Sequence, residues 1–323
     1  MDINRPLAKI SLTPPQPSPY QGERAIFSPD QGEIQRSNSN FCQRSNEKDA
    51  SLEVIIPVKD RVEVIQCVHS LTSINQVKRV IICDGGSTQT QCVEALHQLQ
   101  QQPNVEVVHF PEPGFNKSRL LNQGIVQTTS ELLLISDADI LWNEAALQAV
   151  SSRVLSDTDM ICCIQDVEES EPNSMALQRD RYTYHCAVKS DVALVEVVPW
   201  SDNKGQRRPG CGLICAKKTT LITLGGYKEI FKGWGWEDQD LLIRAHLFGF
   251  EVGATGKVMH LSHSDKVRNQ HCGNTQPIHT RNRNITVCLE SLVEGSLVGD
   301  LLAETRLEPK LKKIQVRLPE CFN

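Results

Sequence analysis

From Leu52 onward, short β-branched apolar runs alternate with stretches of helical spacing, and that alternation restricts the chain to few folds. Leu52-Glu-Val-Ile-Ile-Pro-Val58 is almost continuously apolar, the pattern of a strand buried on both faces. Residues 60–74 follow with Val64, Ile65, Val68 and Leu71 at helical spacing. The same reasoning predicts strands over 77–83, 105–110 and 131–135, and helices over 88–101 and 116–126. Strand–helix repetition at this spacing predicts an α/β fold, a mostly parallel open sheet flanked by helices and joined by right-handed crossovers. Ligands of such sheets bind beyond the C-terminal strand ends, so the polar residues there are the candidates for chemistry.

The pattern loosens after Asp139. A helix is predicted over 143–155, strands near 160–165, 193–198 and 212–216, and a clearer amphipathic helix over 237–248, closed by Gly249. Residues 1–50 have a different texture: they hold six of the 16 prolines, with Gln, Ser and Asn in quantity. Such a segment buries too little surface to offset its ordering entropy, and a disordered leader is expected. The expected organisation is therefore a leader over 1–50, a catalytic domain over 51–265 and an extension over 266–323 that carries no motif. Lys310, Lys312, Lys313 and Arg317 form a basic cluster there, read as a solvated helix face or as a contact with the inner face of a membrane.

Composition removes several function classes. With 34 basic and 39 acidic residues the formal charge is −5, which gives no electrostatic case for nucleic acid. No apolar run approaches the roughly 18 residues of a membrane span, and the first residues lack the apolar stretch of a secretory signal. The twelve cysteines are scattered without a CxxC pair, which points to reduced thiols and a cytoplasmic setting.

Four segments concentrate the candidate chemistry. Pro57-Val-Lys-Asp-Arg61 leaves the first strand with two cations able to neutralise a diphosphate. Asp84-Gly-Gly-Ser leaves the second, where Asp84 either accepts from a uracil imide or serves the turn. Ser136-Asp-Ala-Asp139 leaves the fourth; if the strand continues, alternation points both carboxylates one way, where a divalent cation bridging to a diphosphate would relieve their repulsion. Far downstream, Gly233-Trp-Gly-Trp-Glu-Asp-Gln-Asp240 sets flat rings beside acids, a pattern suited to holding a sugar and removing a proton. His260 and His263 follow a predicted strand and are candidate metal ligands.

Taken in order, these motifs resemble the GT-A-fold inverting glycosyltransferases, in particular family 2 and galactosyltransferase-like enzymes such as β-1,4-galactosyltransferases and chondroitin-type polymerases. The likeness runs from about Leu52 to Lys266. It implies donor contacts at Pro57, Lys59, Arg61 and Asp84, and at Phe115 and Lys117 of Phe115-Asn-Lys-Ser-Arg. It further implies a donor contact at Asp137, metal ligation by Asp139, His263 and His260, and a loop tryptophan, Trp234, between donor and acceptor. Glu237 and Asp238 match the acidic pair, with Asp238 as catalytic base. Trp236 stands where the family often has glycine, so the acceptor pocket, with Trp234, Trp236 and Glu237, is expected to differ. Retaining relatives tend to show Glu-Asn at the acidic pair; Glu237-Asp238 favours inversion.

The implied reaction is metal-dependent transfer, with Mn2+ or Mg2+, from a UDP-sugar (galactose or an N-acetylhexosamine first) to a glycan or lipid-linked acceptor. Two other readings compete. A sugar nucleotidylyltransferase would need a Gly-rich basic phosphate loop near the first strand, which is lacking. A non-catalytic nucleotide- or glycan-binding module would not need base, metal ligands and donor cations together.

Overall fold

The structure is a computed structural model that describes residues 51–156, 161–171, 174, 181–200, 207–271, 273, 275–301, 309, 311–320 and 322. The expected leader, residues 1–50, lies outside them.

The first half follows the sequence pattern closely. Strand β1 (Leu52–Val58) is buried along its whole length and leads to α1 (Val64–Thr72), β2 (Val77–Asp84), α2 (Thr90–Leu99), β3 (Val105–His109), α3 (Lys117–Gln127) and β4 (Leu132–Ile135). After the short β5 (Ile140–Leu141) come α4 (Glu144–Ser156), β6 (Ile161–Glu169), β7 (Arg181–Lys189), β8 (Val192–Trp200) and β9 (Arg207–Lys217). The chain closes with α5 (Lys218–Thr223), α6 (Glu237–Leu247), β10 (Val252–His260), α7 (Asp265–Asn269), α8 (Pro277–Val293) and β11 (Lys313–Arg317).

Eight strands form one sheet in the order β3-β2-β1-β4-β9-β6-β10-β5. The pairs β3–β2, β2–β1, β1–β4 and β6–β10 are parallel; β9 enters antiparallel to both neighbours, and β5 pairs antiparallel with β10. Strand β1 dissects the packing. Its Ile55 joins a core with α3, α6 and α8, whereas Val54, Ile56 and Val58 join a second core with α1, α2 and α4. Period-two alternation on a strand covered from both sides produces this division, and the sheet sits between two helical layers. Gly124 permits the tight seat of α3, because a Cβ there would lie 2.4 Å from Ile55 Cγ2 and 2.9 Å from Cys83 Sγ.

Strand order reverses at β1, with β2 on one side and β4 on the other, so a crevice opens beyond the ends of β1 and β4. A smaller sheet, β11-β8-β7, packs on the α3/α6/α8 side. Helix α8, beyond residue 265, belongs to this packed body: its Ile285, Cys288, Leu289 and Leu292 are buried in the first core. The basic cluster corrects the helical expectation. Lys313 and Arg317 lie on strand β11, parallel to β8, and Lys312 pairs with Asp191 at 2.6 Å; Lys310 is outside the described residues. Among the described residues no helix is long and apolar enough to cross a membrane. The nine cysteines among them are unbridged, and burial pushes the thiols of Cys67, Cys83, Cys186 and Cys211 up to about 12. These four thus offer no thiolate nucleophile at neutral pH.

Candidate functional site

Two polar clusters face one cleft of about 280 Å³ beyond the ends of β1 and β4. Sheet register builds the first. His260, the last residue of β10, pairs with Ile140 of β5 on one side and with Glu169 of β6 on the other. That brings the imidazole to Asp139, one residue before β5, and Leu261 N–H donates to the Asp139 carbonyl at 2.8 Å. Nε2 of His260 and Nε2 of His263 lie 3.5 and 3.3 Å from the same oxygen, Asp139 Oδ2. The three side chains could hold one metal ion, their ligand atoms all lying within 4.8 Å of one another.

The tautomers suit a cation. His260 Nδ1 sits 2.7 Å from Glu169 Oε2 and donates to it, while His263 Nδ1 donates to the Ser264 carbonyl at 3.1 Å. Both Nε2 lone pairs are thereby left on the Asp139 side, the usual arrangement of imidazole metal ligands with an outer carboxylate or carbonyl. Arg61 also reaches Asp139 through Nη2, and its buried Nη1 has no hydrogen-bond partner among the described residues. A buried guanidinium nitrogen left open beside a carboxylate–imidazole set fits a metal-bound anion. Electrostatics agree: burial pushes the Asp139 carboxyl up, but His260, His263 and Arg61 outweigh it and hold it well below the carboxylate range. For His260, burial lowers the pKa, and Asp139 and Glu169 more than restore it.

The second cluster centres on Lys117 at the start of α3. Its Nζ lies 3.0 Å from Asp137 Oδ1, 3.0 Å from Asp238 Oδ2 and 3.3 Å from Glu237 Oε1. Burial lowers the Lys117 pKa, but Asp137, Asp238 and Glu237 outweigh it and raise it well above its ordinary value. Burial pushes Asp238 up, Lys117 draws it down, and Glu237 and Asp137 push up again, leaving it at about 8. Glu237 and Asp238 open α6 immediately after Trp236, which adopts φ +79°. This left-handed backbone is braced from α8: Asn284 Nδ2 donates to the Gly235 carbonyl at 2.8 Å and the Lys232 carbonyl at 3.2 Å, and Thr280 Oγ1 donates to the Trp234 carbonyl at 3.1 Å. Beneath the cluster runs Gly212 of β9, where a Cβ would stand 2.5 Å from Asp238 Oδ2 and 3.1 Å from Lys117 Nζ.

Residues 53–210 match the glycosyl transferase family 2 model, and residues 202–265 match that of the N-terminal domain of galactosyltransferase. The second match carries Asp238, His260 and His263; the first carries Asp139. The two matches together run from residue 53 to residue 265 of a GT-A fold. No curated protein matches the chain. Among solved structures, a crystal structure of GalNAc-T7 with UDP, GalNAc and Mn2+ is similar in fold, with TM-score 0.55 and 14% identity over 79% of this chain. This chain spans about half, 51%, of that solved chain.

Within the cleft, the residues expected at the site meet different fates. Pro57, Phe115 and Trp234 line the cleft. Asp137 and Asp139 do not share a cation. Strand β4 ends at Ile135, alternation lapses, and one acid turns to Lys117 and the other to Arg61 and the histidines. Lys59 lines the cleft, yet its ammonium donates to the carbonyls of Gly85, Glu112 and Gly114 at 2.7–2.9 Å. It clamps the loops after β2 and β3, which leaves Arg61 as the one of the two cations with an open nitrogen toward the cleft. Asp84 is buried and absent from the cleft lining; it accepts from Ser87 N–H and Oγ at 2.9 and 2.6 Å and lies 3.0 Å from His109 Nδ1, the turn chemistry rather than a uracil contact. Trp236 touches the cleft, but it is 2% exposed and belongs to the core, so it is a floor and not an open platform. Asp240, third of the acids, is structural: it pairs with the buried Arg244 at 2.7 Å and Lys228 at 3.2 Å.

Glu169, Gly212 and the α8 braces Thr280 and Asn284 escaped the sequence reading. A glycine in a strand does signal close approach, and Gly210-Cys-Gly212 carried that signal. Glu169 carried none, being one acid among several at a strand end.

Proposed function

We propose that this protein is a glycosyltransferase that moves a sugar from a UDP-sugar, galactose or an N-acetylhexosamine first, to a hydroxyl of a glycan or lipid-linked acceptor, with inversion. The observation that carries the reading is the pair of clusters on one cleft, with the Asp139–His260–His263 set across from the Asp238 carboxyl. A divalent ion held by that set, Mn2+ or Mg2+, would neutralise charge on the departing diphosphate. Arg61 adds a fixed positive charge to the same oxygens through its open Nη1. Asp238 takes the proton of the attacking hydroxyl, and a carboxyl near 8 is a stronger base than an ordinary aspartate. Lys117 holds Asp238 in place and keeps it from rising further. General-base help of this kind is worth roughly 10²–10⁴-fold. A carboxylate at position 238, in place of an amide, supports inversion over retention.

A panel of UDP-sugars with Mn2+ or Mg2+ tests the reading, scored by UDP release with and without acceptor and by thermal stabilisation. The expected result is metal-dependent stabilisation by UDP, acceptor-dependent UDP release and a β-linked product from an α-linked donor by NMR. Neither stabilisation nor release with any member would remove the reading.

A further inference from the structure

Gly233-Trp-Gly-Trp236 turns the chain into α6 through three residues of positive φ: Gly233 at +74°, Gly235 at +97° and Trp236 at +79°. Glycine takes such a conformation without penalty; a bulky side chain does not. Trp236 is unfavourable in a second way. Its indole is buried beside the Cys288 thiol of α8, and its Nε1 has no hydrogen-bond partner among the described residues. A residue disfavoured in both backbone and side chain persists where the packing around it over-determines its place, and such outliers gather at functional sites.

That place is the first turn of α6. The Trp236 carbonyl accepts the Asp240 N–H at 2.9 Å, and no side chain caps this end of the helix. Glu237 and Asp238 are the next two residues, so the ring and the acidic pair ride on one turn. The ring joins the first core with Ile285, Cys288 and Leu289 of α8, while the two carboxylates reach Lys117 at 3.3 and 3.0 Å. Asp238 has little slack, because its Oδ2 stands 2.5 Å from where a Cβ on Gly212 would be. A shift of the turn would therefore misplace the carboxylate. The Asp139–His260–His263 set rests instead on the pairing of β10 with β5 and β6, which a change at position 236 leaves intact. Resting on the transferase reading above, we propose that Trp236 is a positioning residue of the reaction: its indole, keyed into the core at α8, sets the Asp238 carboxylate where the attacking hydroxyl meets it and holds neither substrate.

The test splits kcat from KM in the full chain, using the UDP-sugar and acceptor that turn over in the panel above, with UDP and Mn2+ binding measured by calorimetry. Trp236→Gly relieves the backbone and removes the ring; kcat should fall about a hundredfold, with acceptor KM and UDP Kd within about threefold of the parent. Trp236→Phe keeps a ring in the core and should hold kcat within about fivefold of the parent. A cooperative melt establishes that each variant is folded. Should Trp236→Gly fail to fold, Trp236→Leu carries the test, with a fall in kcat of about tenfold and the same unchanged KM and Kd. A raised acceptor KM with kcat retained would make Trp236 a substrate contact and overturn the proposal. So would a kcat within about threefold of the parent in folded Trp236→Gly, a matching loss of UDP affinity, or a Trp236→Phe no more active than Trp236→Gly. Each of these leaves the transferase reading standing. A parent that neither binds UDP with Mn2+ nor turns over any member of the panel would remove that reading, and this proposal with it.

Discussion

Replacing Glu169 with Gln should weaken Mn2+ binding by roughly 10–100-fold, although Glu169 is no ligand. The carboxylate is filled from both sides. Oε2 takes the His260 Nδ1–H at 2.7 Å and the Ser262 hydroxyl at 2.9 Å, and Oε1 takes Arg208 Nε–H at 2.9 Å. An amide has the same shape but only one acceptor oxygen. Turned toward His260, it sets NH2 against the Arg208 donor; turned toward Arg208, it sets NH2 against His260 Nδ1–H. In either orientation the imidazole loses its negative partner or gains a disordered one, and Nε2 becomes a weaker, less directed ligand. The expected fold-change corresponds to about 1.4–2.8 kcal/mol. Mn2+ titration of parent and Glu169→Gln, read as free Mn2+ by electron paramagnetic resonance, measures it without any turnover. Melting both proteins without metal separates the effect from loss of the Arg208 pair. A Mn2+ Kd within twofold of the parent, in a variant that melts normally, would refute the argument that Glu169 aims His260.

Two further outcomes follow from the Lys117 cluster. With Asp238 at about 8 and acting as carboxylate, kcat/KM should climb about tenfold per pH unit below 8 and level off above it, and Asp238→Asn should abolish transfer while UDP affinity persists; a flat profile from pH 6 to 9 would remove the base assignment. A carboxyl raised in the folded state stabilises it below the ordinary 3.8, and that stability is lost as pH rises to 8, so Asp238→Asn should flatten the fall of stability across that window in chemical denaturation. Gly212→Ala drives a methyl against Asp238 Oδ2 and should cost about a hundredfold in kcat, as misplacements of about 1 Å do; a loss below threefold would show that the carboxylate can shift freely.

Much of the parallel half of the fold was legible because its strands are buried on both faces and their helices are amphipathic; β1 through β4 fall within one or two residues of the pattern. Helix α8 was not, and its composition shows why. Its first turns bury Thr280, Arg281 and Asn284, polar groups that erase the apolar stripe just where they serve the loop before α6. Hidden amphipathicity of this kind marks a helix packed on polar backbone instead of on a core. The same cause hid the extension's contribution to the cleft, where Arg268 and Arg281 stand among residues that periodicity leaves unmarked.

The site residues divide along a related line. Asp139, Asp238 and the two histidines were singled out in the sequence, Asp238 through the family resemblance, and all four line the one cleft. What spacing did not reveal was which partner each would take. Asp137 and Asp139, two residues apart, face different cations because β4 stops at Ile135; Lys59 and Arg61, equally spaced, divide into a loop clamp and a cation with an open nitrogen. Those assignments come from register, above all from His260 meeting both Ile140 and Glu169 across β10. A one-residue slip of β10 would turn His260 to the opposite face and dismantle the Asp139 set while leaving every motif in place. Glu169 is thus set in position by the same β6–β10 ladder that delivers His260, and sheet pairing couples that imidazole to the carboxylate that orients it.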